Sequence, residues 1–212
     1  MLKLLVPDNH KTCRTAAGIF ASLWREVTGA APETVTRDDG VSPLIVFGAD
    51  FMNPFVHDKI MSGVIDGFRL RTGSDDYHLL SAVENGRHLL FLAGGRPRSL
   101  FYAVYRFFEL RADCRYFWDG DRIPERKSIE TGGLDLAESP RFQYRGIRYF
   151  AHRGLKRFQA ELWDFEDWRR EIDWLLKKRL NLFMLRIGID DLFQKAFPEI
   201  VPYPQTDGRS MR

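Results

Sequence analysis

The chain has 212 residues, enough for one large domain or two small ones, and at 44% hydrophobic and 14% aromatic it can bury a substantial core. Its 32 basic and 29 acidic residues nearly balance, which argues against nucleic acid or an acidic membrane surface as a partner. The start, MLKLLVPDNHKT, holds too short an apolar run for a signal peptide, and no stretch approaches the roughly 18 apolar residues of a membrane span. We therefore expect a soluble, cytoplasmic protein.

The first part of the chain shows a strand, a helix and a strand. Residues 2–6, LKLLV, and residues 44–47, LIVF, predict buried strands. Asn9 or Thr12 is a suitable N-cap for the helix between them, and Gly29 ends it. Its apolar positions at helical spacing are Ala16, Ile19, Phe20, Leu23, Trp24 and Val27. This order of elements is typical of a parallel crossover unit.

Two apolar runs, YHLLSAV at 77–83 and RHLLFLA at 87–93, flank an Asn85-Gly86 pair. Asn-Gly between such runs predicts a β-hairpin, because both residues of the tight turn need a positive φ. Before the hairpin, glycines between residues 51 and 75 permit only a short helix.

A helix, a strand and a linker are expected after the hairpin. Helical spacing predicts a helix over about 98–111, and CRYFW predicts a strand over 114–118. Gly94-Gly95 lacks the Gly-Lys-Ser/Thr ending of a phosphate loop, so we interpret it as a turn that leads into the helix. Residues 119–140 contain several Gly and Pro residues and predict a linker between two domains.

The two cysteines, Cys13 and Cys114, lie far apart and match no metal or redox spacing. We expect two buried free thiols, with neither a metal site nor a cofactor.

Residues 163–188 hold the strongest helix pattern in the chain. Asp164 suits the N-cap, acidic residues follow it, and basic residues occupy the last turn, so both ends complement the helix dipole. Its apolar stripe comprises Phe165, Trp168, Ile172, Leu175 and Leu176. RGIRYFA at 145–151 and LFMLRI at 182–187 predict strands on either side, which together give one βαβ unit in a covered parallel sheet.

Three arginines, Arg145, Arg148 and Arg186, are unusual in such packed strands. One interpretation is that they meet a polar ligand. The other is that Arg148 points between layers and pairs with a nearby acid, and the sequence favours neither.

Three segments resemble a superfamily of glycoside hydrolases. WDFEDWRREIDWLLKKRLNL resembles the first barrel helix of the α-N-acetylglucosaminidases, and SPRFQYRGI resembles the entry to the barrel in the β-hexosaminidases. RSLFYAVYRFFELRADCRYFWDGDRIPE is similar to the small domain before the barrel in these enzymes and in the α-glucuronidases. The resemblance covers roughly residues 75–195.

The resemblance implies an α/β protein with a small α+β chitobiase-like domain followed by the first βαβ unit of an incomplete (β/α)8 barrel. The domain would span 1–118, the linker 119–140 and the truncated barrel 141–212. A closed barrel needs about 200 residues, so the last segment is too short to form one. We therefore expect the N-terminal part of a larger enzyme.

The resemblance also implies sugar-binding residues around the first barrel strand. Arg145 matches the hexosaminidase arginine that hydrogen-bonds sugar hydroxyls, and a guanidinium suits this role through its fixed fork of donors. Arg153 matches a further arginine, although Phe150 replaces the aspartate expected three residues earlier. His152 falls where α-N-acetylglucosaminidases have an asparagine that contacts the sugar, and a surface histidine is the alternative.

Around the second strand, Arg186, Asp190 and Asp191 complete the expected substrate-binding set. Asp190 falls where α-N-acetylglucosaminidases carry a glutamate after a glutamine, and Ile189 replaces that glutamine here. The alternative role of the two aspartates is to cap a following helix. The catalytic carboxylates of these families come from later strands, so the catalytic residues remain unknown.

The leading hypothesis is thus the N-terminal portion of a hydrolase that acts on glycans containing N-acetylhexosamine or uronic acid and is inactive alone. The alternative is a non-catalytic carbohydrate-binding or interaction module. A nucleic-acid binder using the basic cluster HRGLKR at 152–157 is less favoured, because one short cluster in a balanced chain is poor evidence.

Overall fold

The computed structural model describes residues 2–7, 10–148, 163–184, 195–197 and 199. The chain forms two compact units, one of Met1–Gln143 with Trp174–Arg179 and one of Tyr144–Asp173 with Leu180–Arg212. The described helices are α1 (Lys11–Thr28), α2 (Pro54–Met61), α3 (Ser99–Arg111) and α4 (Phe165–Lys177). The described strands are β1 (Lys3–Leu5), β2 (Glu33–Val35), β3 (Leu44–Gly48), β4 (Tyr77–Glu84), β5 (Arg87–Gly94), β6 (Arg115–Phe117), β7 (Gly120–Arg122), β8 (Asp135–Glu138), β9 (Gly146–Arg148) and β10 (Leu182–Met184).

The first unit is built on a six-stranded sheet with the order β2-β1-β3-β5-β4-β8. Strands β2, β1, β3 and β5 run parallel, whereas β4 is antiparallel to both β5 and β8. A separate hairpin joins β6 to β7. The unit is therefore mixed α/β with a largely parallel sheet.

The two faces of this sheet are covered by different helices. Successive strand residues point to opposite faces, so Leu4 packs with α1 and α3, while Leu5 packs with Val56 of α2. The face under α1 and α3 carries an aromatic cluster centred on Phe20, which is fully buried. Helices on both faces explain why the central strands have continuous apolar runs rather than alternating ones.

Several local predictions are confirmed. Helix α1 ends at Gly29 in the left-handed region with φ 83°, and the hairpin turn has Asn85 at φ 52° and Gly86 at φ 78°. Cys13 and Cys114 are both buried and free. Burial raises the pKa of the Cys13 thiol to about 12, so the reactive thiolate is suppressed.

The cap predicted for α1 is not the one observed. His10 occupies the N-cap position and makes no hydrogen bond from its side chain to the helix, whereas Thr12 lies within the helix. Asn9 is outside the described residues.

The linker predicted over 119–140 contributes to the folded unit. Strand β8 within it pairs with β4 at the edge of the main sheet, and β7 pairs with β6. The hydroxyl of Ser81 accepts a hydrogen bond from the Leu134 amide (3.1 Å) and donates one to the Thr131 carbonyl (2.5 Å). These contacts fix 131–138 to the sheet, so this stretch is not a free linker.

Gly94 is the last residue of β5, and Gly95 begins the turn that leads to α3. A Cβ on Gly95 would lie 2.3 Å from the Arg71 carbonyl oxygen, and the Gly95 amide donates to the Asp76 carbonyl at 2.8 Å. The Gly95 amide therefore binds within the protein, which supports the interpretation of this stretch as a turn that leads into the helix.

The second unit contains a described βαβ segment, with β9, the start of α4, and β10. Strands β9 and β10 run parallel and pair Gly146 with Leu182, Ile147 with Phe183 and Arg148 with Met184. In the described parts of the chain, no helix has the length and apolar character needed to cross a membrane.

Candidate functional site

The parallel pair β9 and β10 forms the base of the candidate site. A Cβ added at Gly146 would lie 2.5 Å from the Leu182 carbonyl oxygen, so glycine lets the two strands approach closely here. The Asn181 side chain accepts a hydrogen bond from the Arg145 amide (2.8 Å), and the Asn181 amide donates to the Arg145 carbonyl (2.8 Å). This reciprocal pairing fixes the register just before both strands begin.

The start of α4 is held by a reciprocal cap. The Asp164 carboxylate accepts from the Asp167 amide at 2.9 Å, and the Asp167 carboxylate accepts from the Asp164 amide at 3.3 Å. This capping-box arrangement confirms Asp164 as the N-cap and satisfies amides that the helix itself leaves free.

Aromatic rings connect this helix to the strand that follows it. The Trp168 ring lies 4.8 Å from that of Trp163 and 5.6 Å from that of Phe183 in β10, measured between centroids, and both pairs meet edge to face. The predicted apolar stripe is only partly buried, since Phe165 is 75% and Ile172 50% exposed. The helix therefore packs on the strand through Trp168 rather than through its whole stripe.

Of the six predicted substrate-binding residues, the structure describes only Arg145. It directly precedes β9, at the amino end of the strand pair, and is partly buried. His152, Arg153, Arg186, Asp190 and Asp191 lie outside the described residues. Arg148 and Met184 are neighbours at the carboxyl end of the pair.

The first unit holds a charged cluster that the sequence pattern does not predict. Arg71 binds the Asp76 carboxylate through two nitrogens, with its Nε 2.8 Å from an oxygen. Arg98 binds the Asp75 carboxylate in the same way, with its Nε at 2.7 Å. Both carboxylates are almost fully buried. Such two-nitrogen ion pairs are strong and directional. Here they stabilise the loop before β4 and connect it to the residue that precedes α3. An Asp-Asp pair at the start of a strand is the only sequence signal for this cluster.

The Asp76 carboxyl makes a contribution to the stability of the folded protein that depends on pH. Burial acts to raise the pKa of this carboxyl, but hydrogen bonds from Arg71, Ser74 and Ser139 outweigh it and hold the pKa below its usual value. A lowered folded-state pKa means that the stabilisation is present above the unfolded pKa of about 3.9 and is lost as the pH falls through the folded pKa.

We expect Asp76→Asn to lower the free energy of unfolding by about 1–3 kcal/mol at pH 7, because the charge-assisted hydrogen bonds are lost. The difference in the free energy of unfolding should shrink as the pH falls below about 4, because protonation of the wild-type carboxyl then removes its stabilising contribution. Denaturant unfolding of both proteins between pH 7 and pH 2.5 measures this. A difference that stays constant over that range would show that ionised Asp76 is not the source.

An open cleft of about 550 Å³ lies at the end of α1 in the first unit. Its lining mixes both charges and includes Glu26, Glu125, Arg126 and Lys127. Arg145, the one predicted substrate-binding residue that the structure describes, is not part of this lining. Among the described residues, no group of three or more His, Cys, Asp or Glu side chains is placed to hold a metal ion.

No protein-family model matches the chain. Human α-N-acetylglucosaminidase is 22% identical over 94 residues, which is 44% of this chain and 12% of that protein.

Two solved structures share the fold over most of the chain. A family GH115 4-O-methyl-α-glucuronidase with specificity for decorated arabinogalactans matches 85% of this chain and 24% of its own, with 18% identity and a TM-score of 0.56. A family 89 glycoside hydrolase from Clostridium perfringens, bound to 2-acetamido-1,2-dideoxynojirimycin, matches 91% of this chain and 18% of its own, with 14% identity and a TM-score of 0.50.

This chain thus spans a quarter or less of the length of these proteins. The likeness to the solved structures lies in the fold, because their identities to this chain are low. The resemblance to glycoside hydrolases predicted from the sequence is confirmed at this level, for a mixed α/β chain with a largely parallel sheet.

Proposed function

We propose that this chain is the N-terminal portion of a glycoside hydrolase acting on glycans that contain N-acetylhexosamine or uronic acid. In this proposal the first unit is a chitobiase-like α+β domain, and residues 141–212 begin a (β/α)8 barrel. The observation that carries the proposal is the parallel, in-register pairing of β9 with β10 on either side of α4. A strand, a helix and a neighbouring parallel strand are the repeating unit of such a barrel.

The similar proteins support the proposed substrate class. The family 89 hydrolase has been solved with its substrate, GlcNAc-α-1,4-galactose, and the GH115 enzyme is a 4-O-methyl-α-glucuronidase. The partial match to human α-N-acetylglucosaminidase also supports an N-acetylhexosamine substrate. An acetamido sugar or a uronic acid is therefore the first ligand to test.

The proposed sugar site uses the carboxyl ends of the barrel strands, where active sites of this fold lie. Arg148 and Met184 are paired residues at the carboxyl ends of the described strands. Parallel strands lie about 5 Å apart, so the proposed ligands that follow β9 and β10 can serve one sugar. These ligands are His152, Arg153, Arg186, Asp190 and Asp191.

Arg145 is the sixth proposed ligand and lies at the other end of β9. Its backbone is tied to Asn181, so its position along the strand is fixed. Its guanidinium must reach inward to donate to sugar hydroxyls. A forked donor set matches paired hydroxyl or carboxylate oxygens better than a point charge does.

Glycoside hydrolysis usually needs two carboxyl groups, one protonated and one ionised, on either side of the scissile bond. We propose that later barrel strands supply both groups. Residues 1–212 then provide part of the sugar pocket and the preceding domain, but not the catalytic pair.

The test is to express the chain joined to whatever coding sequence follows residue 212 and to assay aryl N-acetylglucosaminides and glucuronides. We expect hydrolysis, and we expect Arg145→Ala to weaken sugar binding by about 1–3 kcal/mol, the usual loss for a charge-assisted hydrogen bond.

Arg141→Ala is the matched control, because Arg141 is an exposed arginine four positions earlier in the sequence, with its guanidinium over the Phe142 ring. It should leave the affinity unchanged. Hydrolysis unaffected by Arg145→Ala would remove that residue from the site. Sugar binding without hydrolysis would favour a carbohydrate-binding module.

A further inference from the structure

Helix α4 is divided between the two compact units. Its residues 165–173 belong to the second unit, whereas Trp174–Arg179, the last turn and the residues after it, belong to the first. The contacts of 174–179 within the first unit are both apolar and charged.

The apolar contact comes from Leu176. Leu176 packs against the core formed by α1, α3 and the sheet, and its neighbour Leu175 is 6% exposed. Burying leucine side chains removes apolar surface from water and is the main favourable term in packing one segment on another.

Two lysines bind the β6–β7 hairpin. Lys177 forms an ion pair with Asp121 of β7, and its ammonium lies 5.7 Å from the centroid of the Tyr116 ring. The Lys178 ammonium lies 6.0 Å from the centroid of the Phe117 ring. Cations at this distance from an aromatic face are attracted to it.

Arg179 connects the segment to a chain of charges that crosses the first unit. Its guanidinium binds the Glu109 carboxylate on α3 at 3.1 Å, and Glu109 also binds Arg106 at 3.3 Å. Arg106 reaches Glu138 of β8 at 3.1 Å, and the Tyr77 hydroxyl donates to the same glutamate. The chain of contacts therefore runs from residue 179 to the edge of the six-stranded sheet.

We propose that residues 174–179 are a docking segment that completes the first unit. The first unit is then discontinuous in sequence, and α3 with the β6–β7 hairpin reaches full stability only when this segment is seated on it. Leu176 provides the apolar contact, and Lys177, Lys178 and Arg179 fix the position of the segment.

The test is residue-resolved amide hydrogen exchange on the full chain. Leu176→Ser should speed exchange in β6 and at the Ala112 and Cys114 amides, which donate to the Phe108 carbonyl, by about tenfold or more. Ile172→Ser is the matched control, one turn earlier on the same helix and 50% exposed. It should leave those amides unchanged.

A second pair of variants tests the charged contacts without altering the apolar ones. Arg179→Gln should speed exchange at the same amides, by about threefold, while Arg169→Gln, which removes an exposed pair with Glu166, should not. The proposal fails if β6 and residues 112–114 exchange at the wild-type rate in both Leu176→Ser and Arg179→Gln. It also fails if Ile172→Ser has the same effect as Leu176→Ser, because general loosening of α4 would then explain both.

Discussion

Phe20→Ala should lower the free energy of unfolding by about 3–5 kcal/mol, the usual loss when a buried phenylalanine is removed. The Phe20 ring is fully buried, and its centroid lies 5.0 to 5.6 Å from four other rings. These rings are Trp24, Phe47, Phe107 and Phe108. Because they come from α1, β3 and α3, they cannot all move inward to fill the space that the substitution leaves.

Chemical denaturation of both proteins measures this loss. Phe68→Ala is the control, since Phe68 is 96% exposed and the same substitution there should change stability by less than about 0.5 kcal/mol. Because a domain is stable by only about 5–15 kcal/mol, Phe20→Ala should bring the first unit close to unfolding. A loss below about 1 kcal/mol would show that this ring is not at the centre of the core.

Gly95→Ala should cost about 3 kcal/mol, because its new methyl group has no room. The added Cβ would lie 2.3 Å from the Arg71 carbonyl oxygen and 2.7 Å from the Ser74 hydroxyl. Two of the closest atoms belong to the backbone, so a side-chain rotation cannot relieve the clash. The loop before β4 would have to move, and the forked pair of Arg71 with Asp76 would be strained.

Gly132→Ala is the matched control, since a Cβ at Gly132 meets nothing within 4 Å. It should be neutral or slightly stabilising, because alanine reduces the entropy of the unfolded chain. Thermal or denaturant unfolding of the two variants compares them directly. Equal stabilities would mean that the turn at Gly95 adapts to a side chain.

Local chemistry explains which elements the sequence predicts. Helix α1 ends at Gly29 because the left-handed conformation there favours glycine, and the Asn85-Gly86 turn needs two positive φ angles. Asp164 caps α4 through its own carboxylate. Each of these signals lies within a few neighbouring residues and can be read without knowledge of the fold.

The elements that the sequence misses depend on distant partners. Strand β2 has three partly or fully exposed residues and no alternating pattern, and it exists because it pairs with β1. Strand β8 lies in a Gly- and Pro-containing stretch and is fixed by β4 and by Ser81. Edge strands of this length carry too few residues for periodicity to reveal them.

The candidate site is predicted mainly by the resemblance to glycoside hydrolases. The sequence pattern itself indicates only that Arg145, Arg148 and Arg186 are unusual in packed strands. The sugar-binding role is implied by motifs that resemble those of glycoside hydrolases. The structure adds the parallel pairing of β9 with β10 and the position of Arg145 before β9. The sugar-binding roles of all six residues stay predictions.

The most direct measurement is hydrolysis of aryl α- and β-N-acetylglucosaminides and aryl glucuronides by the purified 212-residue chain. The proposal that the catalytic carboxyl pair lies in later strands predicts no turnover above the uncatalysed rate, because without that pair most of the rate enhancement is absent. Turnover by this chain that disappears in Asp190→Asn or Asp191→Asn would contradict the proposal and make those aspartates catalytic.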